Sequence, residues 1–178
     1  MSSPSAKTDF SAGDAPQGLV LLDYDNDNDL DMAVPNLLAN TITLLTNNGS
    51  GSYSIASQPA VGSGPLSISA GDINGDGDTD LVVANVLGDD ISILFANGSG
   101  GFDPAISVGT GQGPTGTSLV DVDDDGDLDI AVSNSNSTNL SILVNQGNGT
   151  FQTPVSYGVG RFLNSLPFDV LSDDLDGD

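Results

Sequence analysis

A chain of 178 residues carries 25 acidic side chains against two basic ones, Lys7 and Arg161, and every acid is Asp. The resulting net charge of −23 repels nucleic acid and anionic membrane and leaves cations as natural partners. With no Cys or His, disulfides, thiolate sites, the usual general base and the commonest zinc ligand are excluded, and no apolar run approaches the ~20 residues that span a bilayer.

Asp favours turns over helices, so acidity confined to Asp predicts acidic loops. Taken in chain order, the first recurring unit occupies residues 16–64. Pro16 is followed seven residues later by Asp23, which opens the segment DYDNDNDLDMAVPN, and the turn NNGSGSY ends at Tyr53. The second unit, 65–113, repeats this 49 residues on: Pro65, then DINGDGDTDLVVAN from Asp72, then ANGSGGF ending at Phe102. The third, 114–166, gives Pro114, DVDDDGDLDIAVSN from Asp121, and NQGNGTF ending at Phe151. A fourth begins at Pro167, with Asp174 seven residues on, offset by four extra residues in the Gly158–Leu166 connection, and covers 167–178.

Within a unit the pattern is that of strands. Leu66, Ile68 and Ala70 alternate with Ser67 and Ser69, as Ile91, Ile93 and Phe95 do with Ser92 and Leu94. Such period-two runs, bounded by Gly, Asn and Asp, mark half-buried strands. In the second unit they fall at about Leu66–Asp72, Thr79–Asn85, Ile91–Ala96 and Phe102–Val108. The connections are too short for parallel crossovers, which predicts a four-stranded antiparallel meander. A meander repeated every ~40–50 residues has the period of a propeller blade. The expected fold class is all-β, a partial β-propeller of about three and a half blades.

Each unit carries an aspartate loop. In the third, Asp121, Asp123, Asp125 and Asp129 stand at positions 1, 3, 5 and 9, where a curled loop can turn alternate carboxylates to one centre. Asp127 at position 7 is expected to offer its backbone carbonyl. The first unit matches with Asp23, Asp25, Asp27, Asp29 and Asp31. The second matches with Asp72, Asn74, Asp76, Asp78 and Asp80, and its Asn74 leaves one carboxylate fewer and predicts weaker binding. Asp174, Asp176 and Asp178 supply part of a fourth loop. Position 6, where the chain must bend sharply, is Asn28, Gly77 or Gly126, residues that tolerate positive φ. Hard oxygen donors without His or Cys suit Ca²⁺, about one structural ion per complete blade. Of the 25 Asp, 18 lie within these four loops, which argues against acidity serving general solvation in a high-salt protein.

At these residues the chain resembles the FG-GAP/VCBS-type repeat family, the calcium-loop blades also found in integrin α-subunit propellers. The likeness rests on the Pro-to-Asp spacing, the D-x-[DN]-x-D-[GN]-D-x-D loop and the N-G-x-G-x-[FY] turn. It implies a secreted or surface-exposed protein, a role in adhesion or in binding a protein or glycan ligand, and Ca²⁺ at the matched carboxylates. Residues 4–15, with Phe10 and Gly13 ahead of Pro16, then read as the outer strand of a preceding blade. Three complete blades are fewer than a closed ring needs, so the sequence is expected to be part of a longer chain that closes the propeller.

Catalysis is not expected. The alternative, a catalytic or non-catalytic fragment of a polysaccharide-acting lyase or hydrolase, requires an acid and a base or a positive group near a uronate, and only Lys7 and Arg161 are positive. Arg161 with Phe162 is the one place where ligand contact would be sought. Recognition is otherwise expected on the face opposite the aspartate loops. That face carries Pro35–Asn40, Asn85–Asp90 and Asn134–Asn139, with Gly62–Pro65, Gly109–Pro114 and Gly158–Pro167, which vary among the copies.

Overall fold

A computed structural model describes residues 10–159. Within them the chain forms twelve strands, no helix, and three four-stranded antiparallel sheets. Sheet 1 comprises β1 (Val20–Leu22), β2 (Asp31–Asn36), β3 (Thr41–Asn47) and β4 (Tyr53–Ser57). Sheet 2 comprises β5 (Pro65–Gly71), β6 (Asp80–Asn85), β7 (Asp90–Leu94) and β8 (Ile106–Gly109). Sheet 3 comprises β9 (Pro114–Val120), β10 (Asp129–Asn134), β11 (Asn139–Leu143) and β12 (Val155–Gly158). Each sheet is an uninterrupted up-and-down meander, as the short connections require.

Alternation along the middle strands decides how the sheets stack. Leu81 and Val83 point to sheet 1, where they join Leu22, Ala33, Ile42 and Leu44 in one fully buried cluster. Val82, between them, points the other way and packs with Ile91 and Ile93 against Ile130, Val132 and Leu143 of sheet 3. Burying each such side chain contributes roughly 1.5–3 kcal/mol, and a strand with two buried faces collects it on both. First strands of successive sheets lie side by side, and Ser69 of β5 hydrogen-bonds Thr117 of β9 at 2.8 Å. Fourth strands are largely exposed. This is the inner-to-outer order of propeller blades, and three blades form an open arc.

Two elements differ from the sequence expectation for local reasons. The last strand of sheet 2 starts at Ile106 instead of Phe102. Phe102 keeps only an isolated bridge to Ala96, and Pro104 cannot donate to the ladder. β1 is three residues long where β5 and β9 have seven. Its neighbour β2 carries Pro35 where β6 has Ala84, so the rung made by Ser67 and Ala84 in sheet 2 has no N–H to form it in sheet 1. Of the expected outer strand at residues 4–15, residues 10–15 form none. Phe10 there stacks edge-on against Tyr53 with ring centroids 5.7 Å apart, and residues 4–9 lie outside the described region.

Candidate metal centre

Each aspartate loop joins the first and second strands of its sheet and is closed by its own carboxylates. Position 1 is the hub. Asp23 accepts the backbone N–H of Asp27 at 3.1 Å and of Asn28 at 2.9 Å. Asp121 accepts those of Asp125 at 3.2 Å and Gly126 at 2.8 Å, and Asp72 those of Asp76 and Gly77. Position 5 then accepts the N–H of position 7 in all three: Asp29 to Asp27, Asp78 to Asp76, Asp127 to Asp125. Two left-handed residues make this curl possible. Position 6 has φ of 71° at Asn28, 92° at Gly77 and 93° at Gly126, as its residue types foretell. Position 4 does the same with Asn26 at 60°, Gly75 at 77° and Asp124 at 60°. Sequence reasoning missed that second bend, although Asn, Gly and Asp are the residues that tolerate it.

The curl gathers carboxylates. Oxygens of Asp23, Asp25 and Asp27 lie within 4.8 Å of one another in the first loop, and so do those of Asp121, Asp123 and Asp129 in the third. The second loop assembles no such trio among the described residues. Its Asn74 instead donates to Asp76 at 2.9 Å, so an amide proton sits where its neighbours place a charge. Asp25 carries the clearest sign of a missing partner: its Oδ1 is buried and accepts no hydrogen bond. Burial and the charges of Asp27 and Asp23 push the Asp25 carboxyl above the ordinary Asp range. Desolvation, with Asp125, Asp129 and Asp121 around it, does the same to Asp123. A divalent cation would relieve these strains together, and an all-oxygen donor set fits a hard ion. Position-7 side chains point elsewhere. Asp29 and Asp127 lie against Gly49 and Gly147 of the following turn in the same sheet, and Asp78 accepts Asn26 Nδ2 of the first loop at 2.8 Å. Only their carbonyls remain to serve an ion.

Position 9 has a second duty that spacing did not reveal. Asp31, Asp80 and Asp129 are fully buried at the start of β2, β6 and β10. Each accepts two backbone N–H groups, one from its own loop and one from the end of the third strand. Asp80 takes Ile73 at 3.0 Å and Ala96 at 2.8 Å; Asp129 takes Val122 at 2.8 Å and Asn145 at 2.7 Å; Asp31 takes Tyr24 and Asn47. Burial raises the Asp31 and Asp80 carboxyls against the lowering effect of these bonds. In the third loop Asp129 also stands in the carboxylate trio. Asp174, Asp176, Asp178, Lys7, Arg161 and Phe162 lie outside the described residues.

The opposite ends of the middle strands carry a constellation the sequence reading placed in loops. Asn36, Asn85 and Asn134 are fully buried, so the first residue of Asn85–Asp90 and of Asn134–Asn139 belongs to the interior, and Pro35 lies within β2. Each Asn donates to two side chains on the next strand: Thr41 and Thr43, Asp90 and Ser92, Asn139 and Ser141. In all three Oδ1 is buried without a partner. Only the tips beyond, with Leu38, Leu87 and Asn136, are exposed.

An FG-GAP-like repeat model matches residues 37–83, 72–132 and 121–178. No curated protein sequence matches the chain. Among solved structures, a functionally unknown protein from Desulfotomaculum acetoxidans DSM 771 is similar over 86% of this chain and 45% of its own, at 21% identity and a TM-score of 0.63. An Agrocybe aegerita lectin, described as specifically recognising non-reducing terminal N-acetylglucosamine, is 18% identical over 78% of this chain and 37% of its own, with a TM-score of 0.49. The Photorhabdus luminescens Tc holotoxin pore is 19% identical over 85% of this chain and 7% of its own, with a TM-score of 0.48. The chain therefore spans less than half the length of each of these structures. No helix among the described residues is long and apolar enough to cross a membrane.

Proposed function

The chain belongs to the family of FG-GAP-like repeats, and on that premise we propose that it is a calcium-binding propeller module of a secreted or surface protein, serving adhesion or the binding of a protein or glycan ligand. The observation that carries the metal reading is the buried, unpartnered Oδ1 of Asp25 beside Asp23 and Asp27. Asp23, Asp25 and Asp27 would hold the first ion, and Asp121, Asp123 and Asp129 the third. Asp72, Asp76 and Asp80 with Asn74 offer a weaker second site. When bound, the ion supplies positive charge that offsets the mutual repulsion of the loop carboxylates.

The role is structural. Position 1 and position 5 commit oxygens to the loop's own backbone, so an ion there stiffens the link between the first two strands. The ions, on this reading, turn over no substrate and the module is not an enzyme. Millimolar calcium outside cells fills weak loops of this type, which agrees with an exterior location.

Thermal unfolding followed by circular dichroism tests the proposal, with excess EDTA and then with millimolar Ca²⁺ or Mg²⁺. A rise in melting temperature with Ca²⁺, and a much smaller one with Mg²⁺, is expected. An unchanged melt of a folded β protein returns the loops to plain acidic turns. Incubation with polysaccharides, read for binding and for chain cleavage, separates the ligand-binding module from a lyase or hydrolase.

A further inference from the structure

Three short stretches of chain, residues 10–13, 59–62 and 108–111, stand 49 apart, and each meets the sheet that follows it. Two of these joints are filled by their own side chains. At the first, Phe10 stacks on Tyr53, Gln58 Nε2 donates to Thr43 Oγ1 at 2.9 Å, and Thr43 donates to Ala12 O. At the third, Val108 and Phe151 pack against the second buried cluster. At the middle joint Pro59 stands where Phe10 does and Ser107 where Gln58 does, and both are shorter. A cavity of about 630 Å³ lies there, between sheets 1 and 2. Sites for small ligands fall in the range of roughly 300–1,000 Å³.

The walls define a chemistry. Pro59 and Val61 face Phe102, Pro104 and Ala105, so the body of the cavity is apolar. Ser92 also lines it and is 1% exposed. Its Oγ accepts the Gly62 N–H and Asn85 Nδ2, each at 2.9 Å. With both lone pairs taken, its proton is left to donate, and no described residue accepts it. The matching proton of Thr43 goes to Ala12 O. Negative charge is also confined to this joint. Asp103 on the wall replaces Ser54 and Gln152 of the other two joints. Asp90, which accepts Ser107 Oγ at 2.5 Å, replaces Thr41 and Asn139. No Lys or Arg lies among the described residues to balance either carboxylate.

We propose that this cavity binds a cationic aromatic ligand, a ring carried two carbons from an ammonium group. The ring enters where Phe10 lies in the first joint and packs against Phe102 as Phe10 does against Tyr53. The ammonium pairs with Asp103, and Asp90 adds negative charge beyond Ser107. Free arylethylamines carry this chemistry. So does the N-terminal phenylalanine or tyrosine of a peptide, whose carbonyl can accept the Ser92 proton. None of the wall residues belongs to an aspartate loop, so the site stands apart from the calcium centres.

NMR titration of the isotope-labelled full chain in millimolar Ca²⁺ tests this, with phenethylamine and the tripeptide Phe-Gly-Gly as probes. Both should shift the amide signals of Gly62, Ser92 and Ser107. Asp103→Asn is expected to weaken phenethylamine about fivefold and to leave the neutral phenethyl alcohol unchanged. Pro59→Phe with Ser107→Gln, which fills this joint as the first is filled, should abolish the response while the thermal melt stays cooperative. Tighter binding of the tripeptide identifies a peptide N-terminus as the source, and tighter binding of the amine a free arylamine. Equal shifts with ethylamine, a response confined to the aspartate loops, or indifference of phenethylamine to Asp103→Asn overturns the proposal.

Discussion

The two ends of each middle strand solve one problem in opposite ways. β2, β6 and β10 all begin with a fully buried Asp and end with a fully buried Asn. The Asp accepts backbone N–H groups, which every residue but proline supplies, so its surroundings repeat whatever side chains lie nearby. The Asn donates to side chains, and these vary: Thr41 and Thr43, Asp90 and Ser92, Asn139 and Ser141. One end of the repeat is therefore fastened to backbone and cannot drift. At the other end only the amide is held constant.

The sharpest way to break this contrast is to remove one residue at each end of β6. Asp80→Ala leaves two buried N–H groups without an acceptor and is expected to lower stability by about 3–5 kcal/mol, read as a fall in the urea midpoint in calcium. Asn85→Ala removes two hydrogen bonds but also removes an unsatisfied Oδ1, so its expected loss is smaller, about 1 kcal/mol. Equal losses would show that both ends act as simple polar staples.

Metal titration sharpens the contrast at the loop end. Asp25→Asn is expected to reduce the number of calcium ions bound by one in isothermal calorimetry, with the strands unchanged by circular dichroism. Asn74→Asp supplies the second loop with its missing carboxylate and should tighten that site about tenfold, while loosening the metal-free loop, which loses the amide bond to Asp76.

The smallest effect is a pH dependence with a definite sign. Asp25, Asp31, Asp80 and Asp123 are all raised in the folded chain, chiefly by desolvation. Between the unfolded Asp value of about 3.9 and those raised values, the folded state binds more protons than the unfolded one. In EDTA this contribution is fully present below the unfolded value and is lost as pH rises through the folded ones. With calcium present the trend should reverse, because protons compete with the ion. Urea midpoints measured across that window, with and without calcium, check both signs.

Much of this was legible in the sequence because it is written in spacing. A 49-residue register located the sheets, the meander and the loops, and Gly77, Gly126 and Asn28 marked the bend at position 6. What escaped was whatever depends on the partner. Asp80 looks like Asp76 on paper, and only its place at the start of a strand buried on both faces makes it a clamp. Asn36, Asn85 and Asn134 close the three loop-and-strand motifs, yet an Asn before a turn is so ordinary that burial alone distinguishes them. β1 was shortened by Pro35 on a neighbouring strand, which no reading of residues 16–22 alone can anticipate.

The double employment of Asp129 has an evolutionary consequence. A repeat that ceases to need metal can shed the third-position acid, Asp123, at modest expense to the folded chain, since the loop's curl is held by the backbone N–H bonds that Asp121 and Asp125 accept. It cannot shed the ninth-position acid without detaching the loop and the third strand from the sheet. Descendant blades that have abandoned the ion should thus retain that single aspartate as a vestige. Its solitary survival in a divergent copy would record an ancestral metal site.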